Sequence, residues 1–286
     1  MMKKDLFRKI FGQAYIWLIM LLMYLPILVL IAYSFSSGVI GGKFTFTWDL
    51  YEKLFHNQEI MVALGNTILV AVISAVVSTV LGTFGAIGAF YSKAKMRQTI
   101  DLGTQIPVVN AEIVVAFSLT VMFVFIGTKV FGGAKLFSFW TLLIGHVCLS
   151  LPFVYISVKP KLQQMDPSLY EAAMDLGASP SQALRKVLIP EVVPGIISGF
   201  LLAITLSLDD FIITRFLSGP GLLNGNDDIV TLSTYIQDRI RRKGVPMEMR
   251  AMTTIIFLGV IIAVILVSVY RYKESKKVKV RKGRIA

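Results

Sequence analysis

Charge is scarce in this 286-residue chain. Asp, Glu, Lys and Arg make up 16% of it against 55% apolar residues, where a soluble domain carries about 25% charged residues. The shortage is gathered into runs: no charge falls between Lys9 and Lys43, Glu59 and Lys93, Lys135 and Lys159, or Arg250 and Arg271. About 20 apolar residues suffice to cross a bilayer as a helix, so several such runs exclude a soluble protein. Cysteine is nearly absent: Cys148 stands alone, which excludes an intrachain disulfide and leaves the redox compartment open. It lies in an apolar run and reads as a small buried residue. Histidine is almost as rare, with 2 in the chain. His146 has no second histidine or carboxylate at metal-ligand spacing, so it reads as a hydrogen-bonded packing residue. No metal site is expected. No phosphate loop is present either; the nearest approach, Gly38 to Lys43, lacks the glycine spacing and the Ser or Thr after the lysine. Without a nucleophile–base pair or metal ligands, an intramembrane enzyme has nothing to work with. Internal repeats and low-complexity segments are also missing.

What is there reads as an all-α polytopic membrane protein of six transmembrane helices, near 14–36, 62–91, 103–126, 137–158, 193–217 and 251–270. Glu112 interrupts the third helix and Asp209-Asp210 the fifth. The whole of 1–286 is taken as one transmembrane domain, with core helices over 62–270, a polar loop at 160–192 and a basic tail at 271–286. An even number of spans puts both termini on one side. Most of the 29 lysines and arginines fall at the N-terminus, in 92–98, in 159–192 and after Arg271. The positive-inside rule therefore places both termini and the 160–192 loop in the cytoplasm. The net charge of +12 thus reports orientation, not nucleic-acid binding, and the tail reads as an anchor at anionic lipid headgroups. The N-terminal span is too long for a signal peptide and has no small-residue cleavage site after it, so it is expected to be a retained first helix. Trp17, Trp48 and Trp140 fall near the predicted interfaces. Ala71, Ala75, Ser78, Gly82, Gly85 and Ala89 form a small-residue stripe on the second helix, the surface by which helices associate in lipid.

The loop has a clear local grammar. Asp166-Pro167 supplies an N-cap and a first-turn proline. A short helix then passes through Glu171, Ala172, Ala173 and Asp175, and Gly177 suits a left-handed C-terminal residue. Ser179-Pro180-Ser181-Gln182 carries capping-box spacing for a second short helix, which runs through Arg185, Lys186 and Val187 and is expected to close on Pro190. Two well-terminated helices meeting at a glycine corner on the inner face are a surface for another protein to grip.

This spacing, Glu171-Ala172-Ala173, three residues, Gly177, then Val187-x-Ile189-Pro190, resembles the EAA loop of permease subunits of binding-protein-dependent ABC importers. Val187 and Ile189 replace the usual Ile and Leu, keeping size and apolarity. The resemblance implies the type I importer permease fold. It also implies that the loop, through Glu171, Ala172, Ala173, Asp175, Gly177 and Pro190, docks in a cytoplasmic ATPase. ATP is then bound and hydrolysed by partner subunits, and this chain carries no cofactor and is not itself an enzyme. The expected partners are a homologous second permease, two cytoplasmic ABC ATPases, an extracytoplasmic substrate-binding protein and the bilayer of a bacterial inner membrane.

Ionisable groups inside spans by default mark a pathway. Glu112, Asp209 and Asp210 are three acids with no buried lysine to match them, which suits a cationic substrate; replacing either aspartate by Asn is expected to weaken uptake. Other roles stay open. Either aspartate could pair with Arg215 or accept backbone hydrogen bonds at a helix end, and Glu112 could be protonated against a partner subunit. Ser207–Gly221 (SLDDFIITRFLSGPG), Tyr24–Ser36 and Arg250–Phe257 resemble the polyamine branch of the same permease family, which implies spermidine or putrescine as cargo moved by alternating access. That branch has Pro-Asp where this chain has Ala111-Glu112. The same scaffold for a ferric or thiamine-type cation is the alternative. A channel or proton-coupled carrier would explain the acids but not the capped loop. Beyond the fifth span, Asp227-Asp228, an Ile229/Leu232/Ile236/Ile240 stripe and the basic run to Lys243 with Gly244 predict an external helix, either a connector or a face for a delivery protein.

Overall fold

The structure is a computed structural model and describes residues 2–38, 42–133, 136–166, 168–219, 229–243, 246–262, 265 and 269. Its helices are α1 (Met2–Ser34), α2 (Asp49–His56), α3 (Gln58–Tyr91), α4 (Ala94–Val109), α5 (Glu112–Lys129), α6 (Phe139–Gln164), α7 (Ser168–Asp175), α8 (Pro180–Ala183), α9 (Ile189–Asp209), α10 (Ile212–Leu217) and α11 (Leu232–Lys243), followed by α12 over 248–262. Among the described residues, extended pairing is limited to one antiparallel bridge, Ser36 with Phe46. Among the described residues, five stretches are long and apolar enough to cross a membrane: 12–34, 58–91, 112–129, 139–164 and 180–209. The sixth expected span, 251–270, is helical over its first part, and most of its remainder lies outside the described residues, as does the basic tail.

The chain forms two compact units, one of the residues up to Gln58 together with those from Arg239 onward, the other of Glu59–Asp238. In the first unit, Phe35, Phe46, Trp48 and Tyr51 gather where the chain leaves α1, with Phe35 ring centroids 5.1 Å from Trp48 and 5.2 Å from Tyr51. Ser34 Oγ bonds to Tyr51 Oη at 2.9 Å. Arg250 of α12 donates to Gly38 O at 2.7 Å.

The second unit is a bundle. One cluster joins Ala75, Ala86, Val154, Tyr155, Val158, Leu162, Leu188, Val192 and Ala203 from α3, α6, the turn at 184–188 and α9. A second cluster joins Val70, Ala116, Phe123, Leu142, Leu149, Ile213 and Leu217 from α3, α5, α6 and α10. In lipid such helices gain no water-driven attraction for one another and rely on close backbone approach. Gly199 supplies it between α9 and α6, where an added Cβ would stand 3.0 Å from Val154 Cα; at Gly82 on α3 it would stand 2.8 Å from Val154 Cβ. The stripe read on the second helix is therefore packed inside this chain at Ala71, Ala75, Ser78, Gly82 and Ala89, all buried.

Two expected spans are broken. The third, read as continuous over 103–126, is α4 and α5 separated by Asn110 and Ala111, which turn extended with ψ of 146° and 138°. Pro107, inside α4, has no N–H to give to the preceding turn, and hydropathy does not report such a break because both sides are apolar. The fifth, read over 193–217, stops at Asp209 and restarts at Ile212. There the Asp210 carboxylate accepts the amides of Ile213 (3.1 Å) and Thr214 (2.9 Å), so a side chain replaces the backbone acceptors that would have continued the helix. At the other end the second loop helix does not close on Pro190. It runs from α8 through a π turn, Leu184–Leu188, into α9. Ile189 N–H donates to Leu184 O, and Pro190 has no N–H for the Lys186 carbonyl, so one widened turn absorbs the proline without ending the helix.

Candidate functional site

The polar loop forms from its own residues. Asp166 Oδ1 accepts Ser168 N at 3.0 Å. The hydrogen bonds from Ser168 hold the Asp166 carboxyl below its ordinary range. Pro167 lies outside the described residues. The far end of α7 closes as a Schellman turn: Ala178 N donates to Ala173 O (3.0 Å) and Gly177 N to Met174 O (2.9 Å). Gly177 takes φ +86°, which any L side chain reaches only at a cost of about 1 kcal/mol or more. Ser179 then opens α8 with a reciprocal box, accepting Gln182 N while Gln182 Oε1 accepts Ser179 N at 3.0 Å. Glu171, Ala172, Asp175, Gly177 and Pro190 are exposed and Ala173 is half-buried. Leu176, between α7 and the glycine, is 89% exposed, an apolar tip with nothing of this chain over it.

From this loop α8, the π turn and α9 form one helical rod over 180–209, about 45 Å long at 1.5 Å per residue. It ends at the acids. Asp209 is exposed, whereas the Asp210 side chain is 0% exposed. Asp210 Oδ2 accepts Thr214 Oγ1 at 3.1 Å and lies 3.6 Å from His146 Nε2. His146 Nε2 is 3.2 Å from Thr214 Oγ1, and its Nδ1 is 2.7 Å from Ser207 Oγ, which takes a bond from Ser74 Oγ at 3.1 Å. The Asp210 carbonyl accepts Ser233 Oγ at 2.6 Å. One buried polar knot thus ties α3, α6, α9, α10 and the start of α11 together.

Glu112 is exposed and is the first residue of α5, not a residue deep in a continuous third helix. Its carboxylate at that position faces the positive end of the helix dipole. The two breaks are neighbours because α10 packs on α5. They bring two exposed carboxylates, Glu112 and Asp209, to one region, while the third, Asp210, is occupied by its own helix. Arg215 does not pair with these acids; it meets Asp238 at 3.4 Å on the surface, a contact worth little in solvent. Among the described residues no group of three His, Cys, Asp or Glu side chains is arranged to hold a metal ion.

The knot around His146 leaves little trace in the sequence. The histidine itself reads correctly as a bonded packing residue, but its partners at Ser207 and Thr214 lie 61 and 68 positions away. The available signal was Asp210 as an N-cap candidate three residues before Ile213. The helix expected beyond the fifth span begins at Leu232, where the Thr231 amide bonds Thr234 Oγ1 at 3.0 Å. Asp227, Asp228 and Gly244, expected at its ends, lie outside the described residues.

An all-helical bundle whose exposed, glycine-cornered loop continues into a span defines an importer permease. Residues 78–279 match the family described as binding-protein-dependent transport system inner membrane component, and the chain belongs to that family. It is similar to the spermidine/putrescine transport system permease protein PotC of Haemophilus influenzae, 30% identical over 92% of this chain and 97% of that protein. It is 31% identical to PotC of Escherichia coli K12 over 85% of this chain and 87% of that protein. The putrescine transport system permease protein PotI of the same organism is 31% identical, covering 91% of this chain and 89% of its own length. Among solved structures, a bacterial ABC transporter involved in import of the acidic polysaccharide alginate shares the fold, with TM-score 0.70 and 19% identity over 92% of this chain and 95% of that one.

Proposed function

We propose that this chain is one of two membrane subunits of an ATP-driven polyamine importer, passing spermidine or putrescine inward by alternating access. The observation that carries the mechanism is the continuous rod from the loop to Asp209. Force applied at α7 and the glycine corner by an ATPase travels along unbroken helix from 180 to Asp209. The two exposed acids then meet a second, homologous permease across the pathway, where their negative charge suits a polycation. The cargo itself is suggested by the relatives, since alginate importers use the same fold and an extracytoplasmic binding protein makes the first selection. Both termini and the loop face the cytoplasm in this reading, as the distribution of lysine and arginine requires. Two ATPase subunits bind and hydrolyse ATP; the permease performs no chemistry.

The test is uptake of labelled spermidine into vesicles holding both permeases and both ATPases. Uptake is expected only with ATP and the binding protein together. Transport by this polypeptide alone, or ATP-driven uptake of an anionic solute in place of the polyamine, would remove the proposal.

A further inference from the structure

A second polar cluster sits on the inner side of the bundle, away from both places described above. Asp101 Oδ1, on α4, accepts Tyr155 Oη at 2.6 Å and Lys159 Nζ at 2.6 Å. The two donors lie four apart on α6 and therefore share one face of it. On the other side α4 is fastened to α3. Arg97 donates from Nη2 to Phe90 O at 2.7 Å and from Nε to Ala89 O at 3.3 Å, with its guanidinium carbon 5.9 Å from the Phe90 ring centre. Tyr91, the last residue of α3, meets Tyr170 of α7 with ring centroids 5.4 Å apart. Burial works against charge on Asp101, but the bonds from Lys159 and Tyr155 and the charges of Lys159 and Arg97 outweigh it and hold the carboxyl below its ordinary value.

Such a pair is a poor stabiliser. The Lys159 and Asp101 side chains are 28% and 19% exposed, and the desolvation cost of a partly buried ion pair offsets most of its attraction. What it does provide is direction: two donors from one helix converge on a single oxygen of another. The helix that carries α7 on its inner end, α6, is thereby bolted to α4. The far end of α4 lies about 14 Å from Asp101, at Asn110, two residues before Glu112.

Resting on the proposed function, we infer that Asp101, Tyr155 and Lys159 form a joint that carries displacement of the coupling loop through α6 to α4 and so to Glu112. This route is separate from the one along α9 to Asp209. These are positioning residues: they touch no substrate and act through the acid beyond the end of α4. The two acids at the breaks would then be moved by two levers, α4 and α9, from one point of force.

The experiment uses the complete assembly, with this chain carrying Cys148→Ser and one reporter, either Glu112→Cys or Asp209→Cys. The rate of maleimide labelling is compared without nucleotide and after trapping with ATP and vanadate. With the joint intact, both reporters are expected to change rate by about fivefold or more. With Lys159→Met, the change at 112 is lost and the change at 209 persists. The reversed pair, Asp101→Lys with Lys159→Asp, restores the response at 112, and Tyr155→Phe reduces it partially, which keeps the test open if a charge variant fails to assemble. Retention of both responses in Lys159→Met, loss of both while ATP is still hydrolysed, failure of the reversed pair in an assembled complex, or a response at 209 alone in the intact chain would each overturn the joint. If neither position responds with the joint intact, the ATP-driven mechanism fails instead.

Discussion

The hydrogen bonds that shape the polar loop link near neighbours, such as Ala178 to Ala173 and Ser179 to Gln182. Those around Asp210 link His146 to Ser207 and Thr214, and Ser74 to Ser207, at separations of 61, 68 and 133 positions. One region is written locally and left exposed; the other is assembled from distant segments and sealed. The difference follows from what each must do. In the proposed function the loop is a surface for an ATPase and has to hold its shape in water, which its short-range caps at Gly177 and Ser179 allow it to do. A break in a membrane helix has no water to turn to: its freed amides go to the Asp210 carboxylate, and that buried carboxylate is in turn enclosed by His146, brought in from another helix.

The largest expected effect tests the loop. Gly177→Asp forces a side chain into φ +86° and adds charge at the corner. Nothing lies within 4 Å of the added Cβ, so the bundle still folds and inserts. Spermidine uptake is expected to fall by at least about tenfold, a barrier of some 1.4 kcal/mol, while ATP hydrolysis continues. Uptake at the native rate would mean that the corner is not where force enters.

The next effect divides the two aspartates, which sit side by side and differ entirely in surroundings. Asp209→Asn removes an exposed charge and is expected to lower uptake about fivefold with the thermal midpoint unchanged. Asp210→Ala strips the partner from two backbone amides and from Thr214 Oγ1. It leaves buried donors unmet, at about 1–3 kcal/mol each in the worst case, so the midpoint drops as well. Asp210→Asn retains a capping oxygen and lowers the midpoint less than Asp210→Ala. Should the two positions exchange behaviour, with Asp209→Asn melting early and Asp210→Ala stable, the separation of pathway from scaffold would be wrong.

The same contrast governs what could be read in advance. Glu171 to Ala173, the left-handed Gly177 and the Ser179–Gln182 box are visible because cap chemistry depends on residues three or four apart. Five span-length helices are visible because lipid demands length and apolarity. Hydropathy does not register a break when the residues on both sides are apolar, as at Asn110-Ala111, nor does it show that Pro190 would be absorbed by a π turn. It also ranks Asp209 and Asp210 alike. Their opposite exposure depends on where His146 and Thr214 arrive, which is a property of the packed bundle.

The smallest effect probes how tightly the local grammar is written. Ser179→Ala removes the acceptor for Gln182 N, and a lost N-cap costs about 1 kcal/mol. Ser179 is exposed, so water takes over part of the bond and the cost falls toward the lower end. Amide exchange at Ser181 and Gln182 in the membrane-embedded assembly should then rise by up to about fivefold, with uptake reduced by less than Gly177→Asp reduces it. Gln182→Ala removes only the return bond to Ser179 N and should do less. Because the two side chains close one ring, they are expected to be coupled, and the double variant should cost less than the sum of the two. Strict additivity would mean that the box merely decorates a loop already held in shape by Gly177 and the buried Ala183 and Leu188 behind it.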